Sequence, residues 1–119
     1  MNPNHPASLG ALQIGDIVLV QYPFADGTKA KPRPALIVTA PDDYGDMLLM
    51  PITSQLNAHH ILHLGPQDLT HGQLSKPSAL KISKLAPVHT DLCTAPIARI
   101  RPEVLAQVRQ HLCPHLGCN

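Results

Sequence analysis

Residues 29–40 read KAKPRPALIVTA, and the fold turns on how this stretch is interpreted. Pro32 and Pro34 each fix φ, and each pushes the residue before it toward an extended backbone, so Arg33 is held extended between them. Ala35, Leu36, Ile37 and Val38 follow as an unbroken apolar run, the pattern of a strand buried on both faces. A guanidinium with little backbone freedom thus stands at the mouth of a core strand, within reach of water. Two readings fit such an arginine, a surface-pairing residue and a site residue, and the rest of the chain weighs between them.

Upstream, DIVLVQY (16–22) is apolar on both phases, with Ile17 and Leu19 on one and Val18, Val20 and Tyr22 on the other, which suits a strand well inside a sheet. PFADGTKAKP (23–32) is turn chemistry around Asp26-Gly27 and joins this strand to PALIVTA through a basic loop. Downstream, PDDYGD is a polar turn and DMLLMPIT (46–53) a third strand, in which Pro51 removes a donor and so marks a sheet edge or bulge. ILHL (61–64) and ALKISKL (79–85) read as further strands, and GPQDLTHGQLSKP (65–77) between them as a loop. IARI (97–100) leads into PEVLAQVRQHL, where Pro102 suits a first helical turn, Pro114 ends the pattern, and Val104, Leu105, Val108 and Leu112 share one face.

Several short strands closed by one amphipathic helix define a mainly β (α+β) domain, most simply a small barrel. The expected organisation is a flexible amino-terminal arm over 1–14, one domain over 15–113 and a tail over 114–119. With 119 residues there is room for one domain with a real core and not for two ordinary domains. That core is aliphatic, since 44% of the chain is apolar and only 3% aromatic. Charge is nearly balanced, 9 Lys and Arg against 8 Asp and Glu, so any basic surface must come from clustering. Lys29, Lys31 and Arg33 lie in one loop and Lys76, Lys81 and Lys84 in another; a fold that joins the loops makes a basic patch. Cys93, Cys113 and Cys118 are too few and too uneven for a secreted disulfide framework. No leader pattern or membrane-length apolar run appears, and the expected location is the cytoplasm.

The succession GDIVLVQYPFADGTKAKPRPALIVTA, LLMPITSQ, LSKPSALKISKL and a final helix resembles the MazF/PemK-like toxins of type II toxin–antitoxin systems, over residues 15 to 113. The resemblance implies an SH3-like β-barrel and a homodimeric endoribonuclease toxin that cleaves single-stranded RNA without a metal or other cofactor and is neutralised by a cognate antitoxin. It also implies that Arg33 is the catalytic arginine and Thr53, in PITSQ, the active-site threonine. The chemistry is consistent with both. When a 2′-hydroxyl attacks the adjacent phosphorus, charge gathers on the nonbridging oxygens, where a fixed guanidinium and a hydroxyl donor stabilise it. Ser54 and Gln55 beside Thr53, the lysines Lys29, Lys31 and Lys81, and Phe24 as a base-stacking aromatic complete the expected RNA contacts; Tyr22 and Tyr44 are the other aromatics.

Two departures from the family pattern bear on activity. Gly27, Thr28, Lys29 and Ala30 stand where many relatives carry a glutamate or histidine, and Ser83 stands where some carry an aspartate. Asp26 reads as a turn residue, and His59 and His60 as a solvated pair that titrates in a useful range, so the general base is unassigned. The alternative function is therefore a toxin-fold protein that binds RNA or a protein target without cutting, such as a CcdB-like gyrase poison. The latter suits the chain less, because no aromatic follows Tyr44. HLCPHLGCN offers His111, Cys113, His115 and Cys118 as soft ligands, but the set straddles Pro114, and a tail without metal is the expectation.

Overall fold

The computed structural model describes residues 12–21 and 31–118. Eight strands and one α-helix follow in chain order: β1 (Asp16–Gln21), β2 (Pro32–Ile37), β3 (Asp46–Thr53), β4 (Ile61–Leu64), β5 (Leu69–Gly72), β6 (Ser78–Lys81), β7 (Ala86–His89), β8 (Ala98–Ile100) and α1 (Pro102–Leu116). All pairings are antiparallel, in the order β4-β6-β3-β2-β1-β8-β5, with β7 also on β3. The sheet curls into a half-barrel: among the described residues its two outer strands, β4 and β5, do not pair to close it.

The double apolar phase of β1 and β2 has a direct structural meaning. Ile17 and Leu36 enter a core shared with Met50, Ile52, Leu80 and the helix residues Val104, Val108 and Leu112. Their neighbours Val18, Val20, Ala35 and Ile37 point the other way, into a second core with Met47, Leu49, Val88 and Cys93. Alternation along a pleated strand sends successive side chains to opposite faces, so a strand covered on both must be apolar throughout.

Pro51 lies at neither an outer edge nor a free end. On one side of β3, Asp46–Leu49 pair with β7 and Ile52–Thr53 with β6. Pro51 falls in the gap where the neighbour changes, and there a missing N–H leaves no bond unmade. The same logic hides β7 in the sequence. Pro87 argues against a strand, yet β7 pairs only with β3, where Pro87 faces Leu48, and its other side is free to lack a donor. Strand β5, expected as loop, is short and exposed, with little apolar content beyond Leu69. The expected strand over 79–85 ends at Lys81, where Ile82 N–H bonds to the His60 carbonyl and the chain turns.

Both ends of the domain reach further than expected. Leu12, assigned to the arm, is 2% exposed within the second core. Next to it, buried Asp16 accepts from Gln13 N–H at 3.0 Å and pairs with Arg99 at 2.7 Å, tying β1 to β8. At the other end α1 runs through Pro114 to Leu116. A proline so near the carboxyl end forfeits one ladder bond, and Gly117, at φ 79°, then caps the helix in the left-handed conformation. Cys113 and Cys118 are joined by a disulfide across that cap, with Cα atoms 5.0 Å apart, while Cys93 is free and buried. No described helix is long and apolar enough to cross a membrane.

Candidate functional site

The β2–β3 register builds the site. Ala35 pairs with Pro51, Leu36 with Met50 and Ile37 with Leu49. Two residues beyond the Ala35–Pro51 pair, in the same direction, stand Arg33 on β2 and Thr53 on β3. Period-two alternation keeps each on the face of its strand that the pair occupies. From the outer side, Val20 pairs with Arg33 and Ala79 with Thr53, so both residues are carried by strands held on two flanks.

Both line a groove of about 1230 Å³. Of the residues expected from sequence, Lys31, Arg33, Thr53, Ser54, Gln55 and Lys81 line it together. Lys29 and Phe24 lie outside the described residues, as do Tyr22 and Asp26. Tyr44 is 83% exposed in the turn before β3, at the opposite end of that strand from Thr53. His59, His60, Ser83 and Lys84 do not line the groove. His60 instead packs edge-on against His115 of α1, with ring centroids 5.7 Å apart. Among the described residues the lining holds no carboxylate and no imidazole.

The segment after β5, read as featureless loop, supplies a wall of this groove through Gln73, Leu74, Ser75 and Lys76. Its position is fixed by short-range chemistry: the Ser78 hydroxyl, 7% exposed, donates to the Lys76 carbonyl at 2.7 Å. The basic patch that joining the two loops would make is formed in part, with Lys76 and Lys81 meeting Lys31 and Arg33, and the β5–β8 and β3–β6 pairings bring Lys76 there. One sequence signal was available. Lys31-Pro32, Arg33-Pro34 and Lys76-Pro77 each place a groove cation before a proline, and among the described lining cations only Lys81 lacks one. A pre-proline residue is confined to extended backbone, so these three cations lose little backbone freedom when an anion binds.

Thr53 is oriented as well as placed. Its Oγ1 accepts the Gln55 N–H at 2.9 Å, leaving the hydroxyl hydrogen to donate elsewhere. Leu19, Pro34, Pro51, Ile52 and Ile97 add apolar surface among the polar groups. The arrangement offers fixed cations and a hydroxyl donor around one concavity, which suits a polyanion whose phosphates need neutralising and orienting.

Among described residues, no group of three His, Cys, Asp or Glu side chains gathers to hold a metal ion, and Cys113 and Cys118 are spent on their mutual bond.

Comparison with known proteins gives a consistent answer. A search of curated proteins found no sequence match. Among solved structures the chain is similar to MazF from Deinococcus radiodurans, with TM-score 0.69 at 21% identity over 89% of this chain and 96% of that one. It is also similar to a MazE–MazF structure from the same organism, with TM-score 0.73 at 21% identity over 92% and 98%. A third is an endoribonuclease in complex with its cognate antitoxin from a Mycobacterial species, with TM-score 0.66 at 14% identity over 100% and 98%. These likenesses show the fold. The family model for the PemK-like, MazF-like toxins of type II toxin–antitoxin systems matches residues 13–116, nearly the whole described domain, and the chain belongs to that family.

Proposed function

We propose that this protein is an endoribonuclease toxin that cleaves single-stranded RNA by internal attack of a 2′-hydroxyl, without a metal. The observation that carries the reading is the meeting of Arg33 and Thr53 in one basic groove. In that reaction the 2′-hydroxyl gives its proton to solvent as its oxygen bonds to phosphorus, the bond to the 5′-oxygen breaks and that oxygen is protonated, and the products end in a 2′,3′-cyclic phosphate and a 5′-hydroxyl. In this reading the Arg33 guanidinium binds the nonbridging oxygens as charge develops and protonates the departing oxygen, regaining its proton from solvent. Thr53 donates to the same phosphate and orients it. Lys31, Lys76 and Lys81 hold flanking phosphates, with Ser54 and Gln55 beside them; Lys29 and Phe24, outside the described residues, are further RNA contacts in this reading. A likeness to a Mycobacterial endoribonuclease structure supports the reading.

The acting form in this reading is a cytoplasmic homodimer, held inactive by an acidic antitoxin segment that covers the groove. Structures of relatives with their antitoxins support such a partner. The test is cleavage of a long unstructured RNA in EDTA by wild type and Arg33→Ala, with product ends mapped. Discrete cuts, lost in the variant, are expected.

A second reading is favoured by the absence of carboxylate and imidazole among the described lining residues. It is a toxin-fold protein that binds RNA without cutting. Tight binding of the same RNA by wild type with no cut ends would select it.

A further inference from the structure

The carboxyl-terminal motif takes no part in the groove, yet it is the most chemically loaded segment outside it. The backbone brings Cys113 and Cys118 together on its own account. Gly117 adopts the left-handed conformation, and the Cys113 carbonyl accepts the Cys118 N–H at 3.0 Å. This helix cap is made by backbone groups, without the sulfurs. The turn itself therefore brings the two cysteines close. The same carbonyl lies 3.2 Å from Cys118 Sγ and is an acceptor for a thiol hydrogen once the bond is opened.

Other features separate this bond from a structural brace. It spans a sequence separation of only 5, so it restrains little of the unfolded chain. Cys118 is exposed, and accessible disulfides are the ones that exchange. A cleft of about 660 Å³ opens beside the bond, lined by both cysteines with Arg109, Gln110, Pro114 and Gly117. Arg109 contributes a cation and Gln110 an amide, a pair suited to the carboxylates and peptide groups of a small thiol and favourable to a departing thiolate. Cys93 is the contrast: it is 3% exposed and packed in the second core.

We infer that Cys113 and Cys118 form a reversible thiol–disulfide exchange site that takes a small, carboxylate-bearing peptide thiol in the cleft beside Arg109. The thiolate of the incoming molecule attacks Cys118 Sγ, the Cys113–Cys118 bond breaks, and Cys113 leaves as a thiolate that takes up a proton. A second molecule of the thiol attacks the resulting mixed disulfide and releases Cys118. In sum, one protein disulfide and two small thiols become two protein thiols and one small disulfide, with two electrons passing to the protein.

The probe is glutathione at fixed ratios of reduced to oxidised form, applied to the full folded chain without oxygen, then acid quench, alkylation and mass spectrometry. Cys113 and Cys118 should change state together across the series, while Cys93 stays unmodified. Cys113→Ser should trap one glutathione on Cys118. Gly117→Val, which strains the left-handed turn, should move the half-oxidation ratio about tenfold toward oxidised glutathione. Arg109→Ala should slow exchange with glutathione by about two- to fivefold but not exchange with uncharged 2-mercaptoethanol. A pair that stays reduced at every ratio, or that opens only when the protein is denatured, overturns the inference. An Arg109→Ala variant that slows both thiols equally, or neither, overturns the cleft as the place where the thiol binds. Circular dichroism on each variant confirms that the fold is retained.

Discussion

Arg33 and Thr53 each stand two residues beyond the Ala35–Pro51 pair, on neighbouring antiparallel strands, and open onto the same groove. Neither depends on a loop for its position. The β2–β3 pairing ends at Ala35–Pro51, and Pro34, the next residue along β2, has no N–H with which to extend it where the groove begins. The groove is in this sense the place where the β2–β3 ladder runs out of donors.

Substitutions at this pair should therefore separate charge from geometry. Arg33→Lys keeps the cation and loses the planar fork, and should lower single-turnover RNA cleavage by roughly 10²-fold, with Arg33→Ala lower still. Thr53→Val should cost roughly 10- to 100-fold, and Thr53→Ser should recover much of it. Arg33 is exposed, so its variants should keep the fold, which circular dichroism checks. Full activity in folded Arg33→Lys would remove the bidentate role.

Lys76 should contribute to affinity rather than to sequence choice. Binding of a non-cleavable single-stranded oligonucleotide, followed by fluorescence anisotropy across a salt series, should show a slope shallower by about 0.7 for Lys76→Ala. Pro77→Ala keeps every charge but loosens the backbone of Lys76, so it should weaken binding with the slope unchanged. An unaltered slope for Lys76→Ala would mean that this lysine meets no phosphate.

Gly72 holds the wall that carries Lys76. It sits at φ 81°, and an added Cβ would collide with the Ile97 carbonyl and with Ala98 on β8. Gly72→Ala should cost at least about 2 kcal/mol in urea unfolding. RNA affinity should fall with it, since the segment 73–76 must move away from β8. A variant as stable as wild type would show that β5 is free to shift.

Cys93 provides the pH test. Burial pushes its thiol from 9.0 up to about 11. The fold thus favours the protonated form; its contribution to stability is complete below about pH 9 and is lost as pH rises through about 11. Equilibrium unfolding should weaken across that window in wild type, and the loss should be smaller in Cys93→Ala. At pH 8 the native thiol should resist iodoacetamide and react only on unfolding, whereas rapid labelling of folded protein would contradict its burial.

Much of the scaffold was legible in the residues. The extents of β3 and β4 follow from pattern and punctuation, and the double apolar phase of β1 and β2 announced strands covered on both faces. The helix face of Val104, Val108 and Leu112 followed from spacing alone. Elements whose signal is weak or contrary were missed: β5 is too short and polar to show a period, and Pro87 disguised β7. Pro114 looked like a terminator because the cap that permits it, Gly117, lies three residues on.

By itself the sequence determined strands β1 to β4, the closing helix, and the two motifs that set Arg33 before Pro34 and Thr53 at a strand end. Local backbone restriction and hydrophobic alternation act over a few residues, and these are short-range facts. Only the tertiary structure decided that Lys76, more than forty residues from Arg33, shares its groove, that His60 turns away to meet His115, and that Cys113 finds Cys118 across a helix cap. Such meetings depend on strand order and register, which burial of the two cores selects across the whole chain and no single segment encodes.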